Sequence, residues 1–296
     1  MKRIVESVFG PGLKGWGGLL TAALRGVPEE DYGHYKERLF DTLRDEVFNK
    51  KRPLFDVAEE FFRYSVEILG SVATIPATGP LVVVAPHPSN GPLDGFALAK
   101  ALCVRRDDIK IFADSRHLKL KWPIGDVLLP VDRKDPRLSA RSVRKAMNHL
   151  VDGHCVAMFP ARVNDSMDTD GFSTPWSLVV PKLLIKTADA GLEPVIQPLH
   201  LALTGTWPTA LPGLKLASLL MSDPEQRTSL WEMRRILRPR KFALDILPAY
   251  RLAKDQLVRL DTGASVLSLP REKSEKARVL LDFIRERTYQ IPRYAF

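Results

Sequence analysis

Residues Leu81-Val82-Val83-Val84-Ala85-Pro86-His87-Pro88-Ser89-Asn90-Gly91-Pro92-Leu93-Asp94-Gly95-Phe96-Ala97-Leu98 decide how this chain is read. The opening run of leucine and valines is the pattern of a strand buried on both faces, as parallel strands are. Pro92 suits the first position of a helix, where its missing N–H has no partner to lose, and Asp94 then falls in the first turn, where the helix dipole favours a carboxylate. His87 therefore lies in a strand-to-helix turn with an acid close behind it. A carboxylate that keeps one imidazole nitrogen protonated leaves the other as a base toward a substrate hydroxyl. The same two residues also suit a purely structural role, with Asp94 capping the helix and His87 hydrogen-bonded within the turn.

The chain has 296 residues, 45% of them hydrophobic, enough to bury the core of one large domain or two small ones. A formal net charge of +9 and an isoelectric point near 9.6 predict attraction to polyanions, whether nucleic acid, anionic membrane surfaces, or phosphorylated and coenzyme A substrates. Cys103 and Cys155 are the only cysteines, each in an apolar stretch, which argues against a disulfide framework or a thiolate metal site and for a reducing compartment. Met1-Lys2-Arg3-Ile4-Val5-Glu6 lacks the apolar core of a secretory signal, and no later run reaches bilayer length. The expectation is a cytoplasmic protein, soluble or peripheral on the inner face of the membrane. The stretch Leu13 to Leu24, with Trp16 among glycines and leucines, suits packing on the protein's own body or a membrane interface.

Working upstream, Asp56 and Glu59 have capping-box spacing, and Val57, Ala58, Phe61, Phe62, Val66 and Leu69 form an apolar stripe ended by Gly70, the pattern of one helix. A charged surface helix is expected before it, from about Tyr32 to Val47. Residues 1–71 thus read as an N-terminal helical extension packed on the core, 72–260 as an alternating α/β core whose first element begins as a strand near Val72, and 261–296 as a C-terminal helix docking on that core.

Working downstream, a helix from Pro92 to about Val104 leads to a strand at Ile109–Ala113, a basic segment with Arg116, His117, Lys119 and Lys121, and a short strand at Val127–Val131. Ser139 suits the N-cap of a helix that turns Val143, Ala146, Met147 and Leu150 inward and Arg141, Arg144 and Lys145 outward, with Gly153 ending it. Such a basic face is usually just solvated. The strand Cys155–Phe159 runs into Pro160-Ala161-Arg162, placing an arginine at a strand's carboxyl end, where ligands bind in open α/β sheets. A helix over Trp176–Ala190, open to a kink at Pro181, precedes a strand that carries Pro198 and His200, and His200 reads as a packed or hydrogen-bonded residue. The leucine-rich stretch Trp207 to Met221 suits buried packing or an acyl-binding, membrane-facing flap.

In order and spacing, the motifs between Ile75 and Leu252 resemble those of the lysophospholipid and glycerol-phosphate acyltransferase superfamily, especially its soluble bacterial branch often labelled hemolysin-like. The strand through His87 resembles the approach to that family's first motif, a histidine followed closely by an acid, which makes His87 and Asp94 the catalytic pair. Phe159-Pro160-Ala161-Arg162 resembles the third motif, whose arginine binds the acceptor phosphate. Val195-Ile196-Gln197-Pro198-Leu199 resembles the fourth, a strand with a site-lining proline. The second motif is faint, between Arg116 and Arg133. The resemblance implies an α/β fold with a central mixed, mostly parallel sheet flanked by helices, and a site lined by Phe159, Pro160 and Pro198. Two departures stand out: six residues separate His87 from Asp94 where the family usually has four, sometimes five, and the glycine expected after Phe-Pro is missing.

What the resemblance implies chemically is acyl transfer. His87 would deprotonate an acceptor hydroxyl or amine, which attacks the thioester of acyl-CoA or acyl carrier protein, while Asp94 orients the imidazole. No covalent intermediate, metal or separate cofactor is called for. Backbone N–H groups at Asn90 and Gly91 are candidates to hold the oxyanion. Arg162, with Arg116 and Lys119, would bind a lipid acceptor's anionic head group or the coenzyme's phosphates. An anionic membrane surface is a further expected partner. Nucleic acid is not, because no recognised motif accompanies the charge and aromatics do not interleave with it. The competing reading is a catalytically silent basic protein that docks on anionic membrane or, less readily, nucleic acid. A hydrolase would need a nucleophile, and Ser89 lacks the Gly-x-Ser-x-Gly elbow.

Overall fold

The computed structural model describes residues 45–47, 49–50, 54–62, 64–88, 92–115, 127–132, 134–161, 176–204 and 240–289. Chain contacts divide the protein into two units, 1–51 with 206–238 and 52–205 with 239–296, and nearly all described residues belong to the second. The expected helix from Tyr32 and the Leu13–Leu24 and Trp207–Met221 stretches lie almost wholly outside the described residues.

The second unit is built on a ten-stranded sheet. Its strands are β1 (Tyr64–Leu69), β2 (Leu81–Val84), β3 (Ile109–Asp114), β4 (Leu128–Val131), β5 (Cys155–Met158), β6 (Val195–Thr204), β7 (Arg240–Ile246), β8 (Tyr250–Ala253), β9 (Gln256–Arg259) and β10 (Ser265–Ser268). Among the described residues five helices accompany them, α1 (Leu54–Phe62), α2 (Pro92–Cys103), α3 (Pro136–Val151), α4 (Val179–Asp189) and α5 (Lys273–Tyr289). The central strands run parallel in the order β6-β2-β5-β3-β4, with antiparallel β8, β9 and β10 beyond β6. The far half of β6 pairs antiparallel with β7, which carries β1 in parallel. This is the α/β architecture that the alternation of apolar runs and amphipathic stretches implies, with the mixed, helix-flanked sheet expected from the resemblance.

Val82, Val83 and Val84 are completely buried, as a central strand requires, with β5 on one side and β6 on the other. Val82, Val84, Val156, Met158 and Ile196 pack under α3, α4 and α5 in one apolar cluster. The helix α2 covers the opposite face, in contact with β3, β7, β1 and α1. The connection from β2 passes over β5 to β3, whereas that from β5 passes over β2 to β6. Because crossovers between parallel strands are right-handed, connections in opposite directions leave to opposite faces. The adjacent carboxyl ends of β2 and β5 therefore flank a crevice, the switch point where doubly wound sheets bind ligands.

Several local readings are corrected. Val66 and Leu69 do not extend the helix of Val57 and Ala58: α1 stops at Phe62 and β1 begins at Tyr64. In Tyr64-Ser-Val-Glu-Ile-Leu the apolar residues also alternate, and the parallel pairing with β7, distant in sequence, selects that period over the helical one. Val72–Thr74 is a 3-10 turn capped by Ser71, not a strand. The helix α3 starts three residues before Ser139, because Asp135 is its N-cap, accepting from the Leu138 N–H at 2.9 Å, with Pro136 in the first turn. Pro181 causes no break, since α4 begins only at Val179 and a first-turn proline loses no helical hydrogen bond. Gly153 does end α3, in the left-handed conformation at φ +85°.

Candidate active site

The rim formed by the carboxyl ends of β2, β5 and β6 collects residues from three motifs. Val84, the last residue of β2, pairs with Met158 of β5 on one side and Pro198 of β6 on the other. The chain leaving β2 reaches His87 three residues later, and the chain leaving β5 reaches Phe159 at once. Sheet register thus places these two side chains at the crevice, together with the ring of Pro198.

His87 Nδ1 lies 2.5 Å from Asp94 Oδ2. The six intervening residues therefore allow contact, although residues 89–91 of the turn lie outside the described set. Asp94 has no exposed surface and stands in the first turn of α2, whereas the His87 side chain keeps a quarter of its surface open. An ionised carboxylate can only accept a hydrogen bond, so Nδ1 carries the hydrogen and Nε2 is left as the basic nitrogen. The ring is also held on one flat side, where Phe159 stacks on it with centroids 4.5 Å apart and planes 18° from parallel. Imidazole is thus fixed by a buried acid at one edge and an aromatic plate on one face.

Phe159 is itself braced. Ala161 makes an antiparallel bridge to Trp176, and the Ser177 N–H donates to the Pro160 carbonyl at 2.9 Å. Trp176 is buried, its ring tilted against Tyr289 at 5.7 Å, with Nε1 3.4 Å from the tyrosine hydroxyl at the end of α5. The carboxyl ends of β3 and β4 are tied by Asp132, which accepts from the Ser115 hydroxyl at 2.7 Å and whose own N–H donates to Ser139 Oγ. The Ser115 bond, with the Lys134 N–H, holds the Asp132 carboxyl below the ordinary range.

Among the expected site residues, His87, Asp94, Phe159, Pro160 and Pro198 are brought to one rim. Asn90, Gly91, Arg116, Lys119 and Arg162 lie outside the described residues. His200 donates from Nδ1 to the Thr288 carbonyl of α5, at 3.1 Å, the packed, hydrogen-bonded role expected of it. Sequence reading missed Gln197, a fully buried amide whose Nε2 donates to the carbonyls of Leu247 and Pro198, tying β6 to the bend between β7 and β8. Its only signal was a polar residue inside an apolar strand. It also missed the brace on Phe159, for which no local pattern exists.

No family model and no curated protein matches the chain. Among solved structures it is similar to the 1-acyl-sn-glycerophosphate (LPA) acyltransferase PlsC from Thermotoga maritima, at 13% identity and a TM-score of 0.38, over 96% of this chain and 90% of that one. A likeness of that degree carries no conclusion about chemistry. Among the described residues no helix is long and apolar enough to cross a membrane.

Proposed function

We propose that the protein is an acyltransferase that moves a fatty acyl group from a thioester, on coenzyme A or acyl carrier protein, to a hydroxyl of a lysophospholipid-like acceptor. The observation that carries this reading is the His87–Asp94 pair: a buried carboxylate on Nδ1, a partly open imidazole, and a position at the switch point of the sheet. His87 Nε2 takes the acceptor's proton as its oxygen attacks the thioester carbonyl. The C–S bond then breaks, and the proton on the imidazole goes to the departing thiolate. Asp94 stabilises the imidazolium formed between those steps, and Phe159 keeps the ring in plane. No side chain needs to carry the acyl group. A single positioned base supplies typically about 10²–10⁴ in rate, so the rest comes from alignment and from donors to the oxyanion. Arg162, Arg116 and Lys119 are the candidates for the acceptor's anionic group, and the N–H groups of Asn90 and Gly91 for the oxyanion.

The test is transfer of labelled acyl groups from acyl-CoA and acyl carrier protein to a panel of lysolipids, comparing the wild type with His87→Ala and Asp94→Ala. Turnover lost in both variants with unchanged melting supports the reading. No turnover from either donor, together with salt-sensitive binding of the wild type to anionic liposomes, would replace it with a basic binding protein.

A further inference from the structure

The helices α3 and α4 lie side by side on one face of the sheet, and both begin at its carboxyl edge, α4 after β5 at the crevice and α3 after the outer strand β4, since each follows a parallel strand and runs back along it. Their outward faces carry Arg137, Arg141, Arg144 and Lys145 on α3 and Lys182 and Lys186 on α4, all exposed. The spacings 137, 141, 145 and 182, 186 are single turns, so the cations form two neighbouring stripes. No carboxylate lies within α3. Asp135 beside it is occupied as the N-cap, and Asp189 at the end of α4 is held by Lys273 at 2.9 Å. Among the described residues none of the six cations makes a close ion pair, and the charge of Lys186 also reaches Asp189, one turn further along α4.

Helix stability does not account for this arrangement. Like charges one turn apart repel, and Arg137 sits in the first turn, where the dipole disfavours a cation. We infer that the α3–α4 face is the docking surface for a small acidic protein, the carrier that brings the acyl thioester; this rests on the acyltransferase reading and selects a protein-borne donor for it. Two parallel stripes of cations match the acidic face of a helical partner, and complementary charge of this kind sets encounter rate and orientation. Both stripes start at the carboxyl edge of the sheet, the same edge that carries His87. Leu178 continues the α4 stripe at that end and is 43% exposed, an apolar contact beside the charges. The face offers no exposed aromatic for bases to stack on, which disfavours nucleic acid.

The experiment compares the wild type with the triple variant Arg141→Glu, Arg144→Glu, Lys182→Glu, after equal melting temperatures establish that it folds. Binding of hexadecanoyl acyl carrier protein is read by fluorescence anisotropy, and transfer is read from that donor and from hexadecanoyl-CoA. Docking predicts about a tenfold or greater loss in affinity and a matching rise in KM for the carrier donor, with kcat/KM for the CoA donor within about twofold. Wild-type affinity should also fall between about 0.02 and 0.15 M salt, and the variant's should not. Unchanged carrier binding overturns the proposal, as does an equal loss with both donors. Loss of binding to phosphatidylglycerol vesicles with carrier binding intact also overturns it, in favour of a membrane. Charge-dependent carrier binding without turnover from any donor would support the docking surface and refute the acyltransferase reading; turnover from CoA without carrier binding would do the reverse.

Discussion

Replacing Asp94 by asparagine keeps the shape of a side chain with no exposed surface and removes its charge and its acceptor-only character. As a carboxylate it forces the imidazole hydrogen onto Nδ1. An amide can instead donate to Nδ1, which moves the ring hydrogen to Nε2 and turns the base into a donor. The substitution also removes the negative charge that balances the imidazolium. Losing the base and its counter-charge together places the loss at the upper end of the general-base range, so kcat should fall by about 10³–10⁴, with KM changed by less than about threefold. The first-turn charge on α2 contributes about 0.3–1 kcal/mol through the dipole, and relief from burying a charge offsets part of that, so the variant should melt close to the wild type. Steady-state transfer assays and thermal melts on the same preparations read both quantities. An Asp94→Asn enzyme within about tenfold of wild-type kcat would show that Asp94 does not set the tautomer, and the dyad mechanism would fall with it.

Phe159→Leu should lower kcat by about tenfold while Phe159→Tyr retains most of it, because only an aromatic ring keeps the stack on His87; comparable rates in both variants would refute a positioning role. Arg106, buried between the starts of β2, β3 and β5, donates to both oxygens of Asp108 and to the carbonyls of Pro76, Gly79 and Gly153, so Arg106→Met should cost about 3–5 kcal/mol in denaturant melts and leave kcat unchanged where the variant is folded. Burial alone would raise the Asp108 carboxyl, but the hydrogen bonds and charge of Arg106, with His154, outweigh it and hold it below the ordinary range. Its contribution is therefore full above about pH 4 and lost as pH falls through the folded value, and melts in acid should show a limb that is flatter in Arg106→Met. His149, against the Asp108 carbonyl, is lowered chiefly by desolvation, so the fold favours neutral imidazole and stability should decline as pH drops below about 6.5, a limb that His149→Gln should remove.

The central features were legible because they are local. Four consecutive apolar residues, a turn, a proline and an acid in the first helical turn specify β2, α2 and the closeness of His87 to Asp94 without reference to the rest of the chain. Whatever depends on a distant partner was not legible. Tyr64–Leu69 fits helical and strand periods equally until β7, encoded from Arg240 onward, pairs with it. The strands β8, β9 and β10 were overlooked for a related reason. Each is only four residues long; β8 shows a single alternation, Tyr250 and Leu252, while β9 and β10 expose residues such as Gln256 and Ser265, and hairpin pairing along the edge of β6 supplies what local propensity does not.

The same distinction applies within the site. The proposed base and its acid, His87 and Asp94, come from one eight-residue stretch, whereas the plate on the imidazole comes from the end of β5, and what steadies that plate comes from the approach to α4 and the end of α5. The C-terminal helix is pinned at that end twice, by Trp176 against Tyr289 and by His200 against the Thr288 carbonyl. His200 stands on β6 two residues beyond Pro198, which lies at the rim itself. Movement of the last turn of α5 would therefore reach the crevice along two strands, β5 through Trp176 and Ala161, and β6 through His200. A helix that the sequence marks only as docking on the core thus supports the position of the His87 ring, on which the proposed proton transfer would depend, because an imidazole displaced by even about 1 Å would lose its alignment with an acceptor oxygen.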